Sequence, residues 1–197
     1  LETGAASNVL SSLMELGIVR REIPATEKNS RKTIYILNDA MYRFWFTFVW
    51  NYLTNINRGI GELVYKEFVE NKINEYMGHV FEDICLQYLY TDKGLASLPF
   101  LPENIGRWWG NNPQKKREEE IDIFGFAGVK QLFCECKWTN KLVDINVMES
   151  LFDKAALLGE GEKHFIFFSK SGFTKKFIQA ASERPNVKLI TFKDICE

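Results

Sequence analysis

The residues of this chain with the clearest capacity for chemistry lie in Gln131–Trp138, QLFCECKW. Side chains of an extended strand alternate faces, so Glu135 and Lys137 share one face while Cys134, Cys136 and Trp138 share the other. A carboxylate and an ammonium in the middle of an apolar strand are costly unless they pair or bind something. The preceding segment Glu120–Phe126, EIDIFGF, repeats the pattern with Glu120 and Asp122 on a common face. Between the two lies Ala127-Gly128-Val129-Lys130, a hairpin signal, so Asp122 and Glu135 can come close across the ladder. Two neighbouring carboxylates repel, and a divalent cation that prefers hard oxygen ligands, Mg2+ or Mn2+, would relieve the repulsion. Such an ion polarises a phosphodiester, and a lysine beside it can hold the attacking water or help deprotonate it. The same residues admit a plainer arrangement, an ion-pair network in which Lys137 neutralises a carboxylate and nothing binds.

The elements that must position these residues follow from periodicity. Val9, Leu10, Leu13, Met14 and Leu16 recur at helical spacing and Gly17 supplies a stop. Two extended segments, 18–23 and 33–37, flank a polar loop. Arg20, Arg21, Lys28, Arg31 and Lys32 gather there, so a helix is followed by a basic-tipped hairpin, the back half of a winged helix, with DNA as its candidate partner. Asn38-Asp39 offers a helix N-cap, and the run 41–57 is aromatic nearly all round, which predicts a helix buried on most sides. Residues 61–90 read as one or two amphipathic helices. Beyond residue 98 the period changes to three strands (105–110, 120–126 and 131–138), a helix over 143–158, a strand over 164–169, a helix over 174–182 and a last strand over 187–192. A hairpin followed by helical crossovers implies an α/β domain with a mixed β-sheet flanked by helices. The boundaries read as a partial winged helix over 1–40, an aromatic linking helix over 41–61 and the α/β domain over 62–197.

Asp122, then Glu135-x-Lys137 thirteen positions on, placed on two successive strands, resembles the PD-(D/E)xK nuclease superfamily, whose restriction-endonuclease-like core runs helix, three strands, helix, strand. Glu82, on the helix ahead of the strands, matches an acidic residue that many members carry there. The resemblance implies Glu82, Asp122 and Glu135 as metal ligands with the Cys136 carbonyl as a fourth. It implies Asp122, Glu135 and Lys137 as the catalytic set, Lys137 orienting water, and Gln179 as a substrate contact. The residue before Asp122 is Ile121 rather than the proline that names the motif. A second resemblance spans most of the chain: Leu16-Gly-Ile-Val-Arg-Arg-x-x-Pro24, Arg31-Lys-Thr-Ile-Tyr-Ile-Leu-Asn-Asp39, Tyr42-Arg-Phe-Trp-Phe-Thr-Phe48 and Gly78-x-x-Phe81-Glu82 look like archaeal-type ATPases of the AAA class. In those proteins a P-loop ATPase precedes a winged helix and a C-terminal domain of unknown function that is itself similar to the nuclease superfamily. The resemblance implies that this chain starts inside the winged helix, and that the ATPase of the same protein is its partner. No G-x-x-x-x-G-K-[ST] occurs here, so no nucleotide site is expected.

Composition sets the outer bounds. Of 197 residues, 46% are apolar and 14% aromatic, enough for a packed core and too much for a disordered chain. A net charge of −1 excludes a globally basic nucleic-acid coat protein while leaving room for a local basic patch. Cys85, Cys134, Cys136 and Cys196 form no C-x-x-C pair, which argues against a zinc site or disulfide framework and for a reducing, cytoplasmic setting. The expectation is a Mg2+-dependent nuclease-like hydrolase acting on DNA. The alternative is an inactive nuclease-fold module that binds DNA or protein and regulates its ATPase.

Overall fold

The computed structural model describes residues 3–28 and 32–197. They divide into two compact units, Leu1–Ile23 with Asn29–Asn74, and Pro24–Lys28 with Glu75–Glu197.

In the first unit, helix α1 (Thr3–Glu15) ends where Gly17 adopts a φ of +70°, with the Ile18 and Gly17 amides donating to the Leu13 and Met14 carbonyls. That pair of bonds is a Schellman stop, which a glycine makes without strain. Strands β1 (Val19–Glu22) and β2 (Ile34–Leu37) follow as an antiparallel pair, Arg20 opposite Ile36 and Arg21 opposite Tyr35. Asp39 caps helix α2 (Ala40–Phe44), its carboxylate accepting from the Tyr42 amide at 2.9 Å. The helical path continues through a π turn (Trp45–Val49), a 3-10 turn (Trp50–Tyr52) and helix α3 (Leu53–Asn57). Helix α4 (Gly61–Val64) runs into a second π turn, Tyr65–Val69, and the Tyr52 and Phe68 rings stack at 4.5 Å.

The aromatic run does not match its expected burial. Phe48 is buried, but Met41, Tyr42, Phe44, Trp45, Phe46 and Trp50 are exposed. A two-stranded sheet, α1 and the one-turn helices leave these rings uncovered, and the π turn spreads them further round the axis.

The second unit is built on a five-stranded mixed sheet in the order β3 (Asn104–Asn112), β4 (Arg117–Ala127), β5 (Lys130–Lys137), β6 (Glu162–Ser169), β7 (Val187–Thr191). The first three strands are antiparallel neighbours and the last three parallel ones. Helices α5 (Ile73–Tyr88), α6 (Asp92–Ser97), α7 (Ile145–Ala156), α8 (Lys175–Ser182) and α9 (Phe192–Cys196) flank it. The α/β class and the strand–helix order from residue 105 onward therefore agree with the sequence pattern. Residues 24–28 join this unit because Ala25 donates to the Arg107 carbonyl and accepts from the Asn104 amide group, lying along the edge strand β3.

Alternation along β5 and β6 divides the core. Phe133, Phe165 and Phe167 pack with Leu151 of α7 and Phe177 of α8. Leu132, Cys134, Ile166 and Phe168 pack with Phe81 and Cys85 of α5. Both strands are covered on both faces, hence their nearly continuous apolar sequence. All four cysteines are free, and among the described residues no helix is long and apolar enough to cross a membrane.

The first turn of α6 contains a position where a single methyl group is intolerable. Thr91 bonds the Tyr88 carbonyl and caps Gly94, and a Cβ at Gly94 would lie 1.8 Å from that same carbonyl oxygen. Gly94→Ala is expected to lower stability by about 1–3 kcal/mol, toward the upper end because the obstacle is backbone. Gly78→Ala, in the open interior of α5, is expected to gain about 0.4–1 kcal/mol. Urea denaturation of both variants checks the opposite signs.

Candidate functional site

The site begins with an irregularity in β4. Gly106 pairs with Phe124 and Trp108 with Ile121, so three steps along β4 match two along β3. Asp122 and Ile123 therefore stand together opposite Arg107 in a β-bulge, which re-aims side chains as bulges beside functional sites do. The bulge also puts Ile121 and Phe124 in the α7 core while Ile123 faces the α5 core. It separates the environments of Glu120 and Asp122 that strict alternation would have kept alike: Glu120 is exposed and pairs with Arg107 at 3.0 Å.

One residue past the last paired position of β4 and β5, Ile123 opposite Cys134, the strands part. Asp122 and Glu135 are the next residues on either side. Asp122 uses the opening to accept the Cys136 amide on Oδ2 at 2.7 Å, which ties it to the backbone between Glu135 and Lys137. Burial, then the charges of Glu135 and Glu82, push the Asp122 carboxyl up to about 8, against smaller opposing effects of Lys137 and the Cys136 amide. Three acidic side chains thus share one electrostatic neighbourhood.

Glu135 is buried and carries a lysine on each oxygen: Lys137 Nζ at 2.6 Å from Oε1 and Lys154 Nζ at 3.0 Å from Oε2. Burial alone would lower the Lys137 ammonium. Glu135, by charge and hydrogen bond, and Asp122 behind it hold it above the ordinary lysine value. Lys137 is accordingly a cationic donor at neutral pH, suited to orienting water or phosphate rather than to removing a proton. Behind this pair lies Glu119, also buried, paired with Arg117 at 3.0 Å and Lys115 at 3.8 Å. Burial would raise its carboxyl, but Arg117, Lys115 and Lys154 together bring it below the usual value.

Glu82, on α5, is bonded by Arg107 and lies 3.5 Å from His79. The donor chemistry of Glu82, Asp122, Glu135 and the Cys136 carbonyl fits a hard divalent cation, and carboxylate repulsion adds to the burial that raises Asp122. In the arrangement observed, Lys137 and Lys154 balance Glu135 and Arg107 balances Glu82, while Asp122 is held by the Cys136 amide. Among the described residues no group of three or more His, Cys, Asp or Glu is gathered as metal ligands.

The remaining sequence candidates lie elsewhere. Arg20 pairs with Glu22 and bonds Asn38, and Arg21 bonds Thr33. These two and Lys32 belong to the first unit and Lys28 to the second, while Arg31 is outside the described residues. Gln179 bonds Glu183 within α8. Burial, with Cys85 and Asp122 adding, pushes the Cys134 and Cys136 thiols well up, so neither is a nucleophile.

Lys154, Arg107 and Glu119 are absent from the sequence-level site. A signal for Lys154 existed, since it lies three residues after the buried Leu151 on α7 and so on the inward stripe.

A family model for archaeal and bacterial proteins of unknown function, DUF234, matches residues 45–149. An uncharacterized protein of Methanocaldococcus jannaschii, MJECL04, is 32% identical over 168 residues, covering 82% of this chain and 36% of that protein. The chain thus spans about a third of the relative's length. The crystal structure of a protein of unknown function, AF1548, is similar at a TM-score of 0.35 and 18% identity, over 56% of this chain and 59% of that one.

Proposed function

The chain belongs to the DUF234 family of archaeal and bacterial proteins of unknown function, and we propose that its α/β unit is a metal-dependent nuclease-like domain acting on DNA phosphodiester bonds. The observation that carries this reading is the meeting of Asp122 and Glu135 where β4 and β5 part, with Lys137 at the end of the same strand and the Asp122 carboxyl raised by burial and then by its acidic neighbours. Glu82, Asp122, Glu135 and the Cys136 carbonyl would hold Mg2+ or Mn2+, which when bound supplies a Lewis acid for the phosphodiester and acidifies water. Lys137, whose side chain is 38% exposed, is the cation free to turn toward water or phosphate. Arg107, between Glu82 and Glu120, balances the acidic charge on the α5 side. By the resemblance to archaeal-type AAA ATPases, the domain would act with a winged helix, whose basic hairpin contacts DNA, and with a P-loop ATPase that licenses cleavage.

A second reading has its own support: Glu135 already finds partners in Lys137 and Lys154 and Glu82 in Arg107, as in an inactive nuclease fold that docks DNA or protein for its ATPase.

Cleavage of labelled single- and double-stranded DNA with Mg2+ or Mn2+, by wild type and Asp122→Ala prepared alike, tests the first reading. Metal-dependent cleavage that vanishes in the variant is the expected result. Equal activity in both would point to a contaminant and remove Asp122 from the site. Inactivity of both, with no Mn2+ binding in a calorimetric titration, would leave the second reading.

A further inference from the structure

We propose that Lys154 is a positioning residue that holds Glu135 by one oxygen, leaving Lys137, on the other, as the exchangeable cation of the site. Only the identity of what Lys137 then meets rests on the nuclease reading.

The two lysines differ in burial and in the element that carries them. Lys154 projects from α7, a helix fixed by Met148, Leu151 and Ala155, all buried in the core. Its side chain is 14% exposed, against 38% for Lys137. Each ammonium feels a second acid, Lys154 that of Glu119 and Lys137 that of Asp122, so burial and the element that carries each lysine make the difference. Lys137 is the last residue of β5, and its ammonium lies 2.6 Å from Glu135 Oε1.

The consequence follows from the cost of stranding a buried charge. A buried carboxylate that loses its only cation is strongly destabilised. Glu135 loses Lys137 without that penalty, because Oε2 stays bonded to Lys154. The second lysine therefore lets the first move, and it fixes the plane of the carboxylate while that happens.

Two measurements on the full chain decide the matter. Acetylation of wild type by limiting acetic anhydride, followed residue by residue by mass spectrometry, should modify Lys154 about tenfold more slowly than Lys137. Equal rates, or a slower Lys137, would overturn the assignment. In the cleavage assay, Lys154→Met should lower kcat by about 10–100-fold with KM little changed, and Lys154→Arg should restore most of it. An unaffected kcat in Lys154→Met, or no rescue by arginine in a variant that melts like wild type, would also overturn it. A wild type that cleaves nothing would sink the nuclease reading instead, and the acetylation order alone would then decide whether Lys154 is the fixed partner.

Discussion

Asp122→Asn is expected to yield a protein that cleaves no DNA and yet unfolds less readily than wild type at neutral and alkaline pH. The two effects share one cause. The carboxyl titrates at about 8 in the fold against an ordinary value of 3.8, because it is buried beside Glu135 and Glu82, with Lys137 and the Cys136 amide offsetting only part. Between those values the folded protein retains a proton that the unfolded chain has released. Stability from this group is therefore complete below pH 4 and is lost as pH rises through 8. At about 1.4 kcal/mol per unit, a rise of roughly four units corresponds to a loss on the order of 5 kcal/mol across the whole span. Asparagine keeps an oxygen for the Cys136 amide and has no charge to pay for. Urea unfolding at pH 5, 7 and 9 should show the variant gaining on wild type at each step. Parallel curves for the two proteins would mean that Asp122 is not the strained acid, and the geometry argued for the site would fall with it.

The split between what the sequence reveals and what it hides follows the range of the interaction. Period-two alternation is local, so QLFCECKW alone places Glu135 and Lys137 on one face of a strand and the cysteines on the other. The hairpin is equally local, since Ala127 pairs with Lys130 across a two-residue turn. The bulge at Asp122-Ile123 carries no glycine or proline to announce it. It emerges only when β4 is fitted against β3 and β5 at once. Arg107 and Lys154 likewise reach the acids from 25 and 19 residues away, distances over which a single sequence records no pairing. The aromatic run shows the reverse failure. Its composition speaks for burial, but whether rings are covered depends on how much surface the rest of the unit can bring to them, and here Trp50 stays 56% exposed. Helix α9 could have been found from Thr191 and Asp194, which form a capping box whose spacing is visible in TFKD.

Glu135→Leu should abolish cleavage as Asp122→Asn does, but with the opposite effect on stability. Glu135 is 6% exposed in its side chain and its loss leaves Lys154, 14% exposed, without its nearest acceptor. Breaking a buried pair from one side costs about 3–5 kcal/mol. The lower end is expected here, about 3 kcal/mol, because Asp122 loses a repelling neighbour and Lys137 can turn to water. Removing both partners should be milder than removing one, since an apolar pair of similar volume leaves no buried charge to solvate. The double variant Glu135→Leu with Lys154→Met is thus expected to recover most of the stability lost by Glu135→Leu alone, and a double-mutant cycle in urea at pH 7 reads the coupling directly. Additive losses would show that the two side chains do not depend on each other. Non-additive recovery, set beside a stabilising Asp122→Asn, would separate the two adjacent carboxylates by role: one held at a cost in stability until a cation arrives, the other already balanced so that its lysine partner can be released.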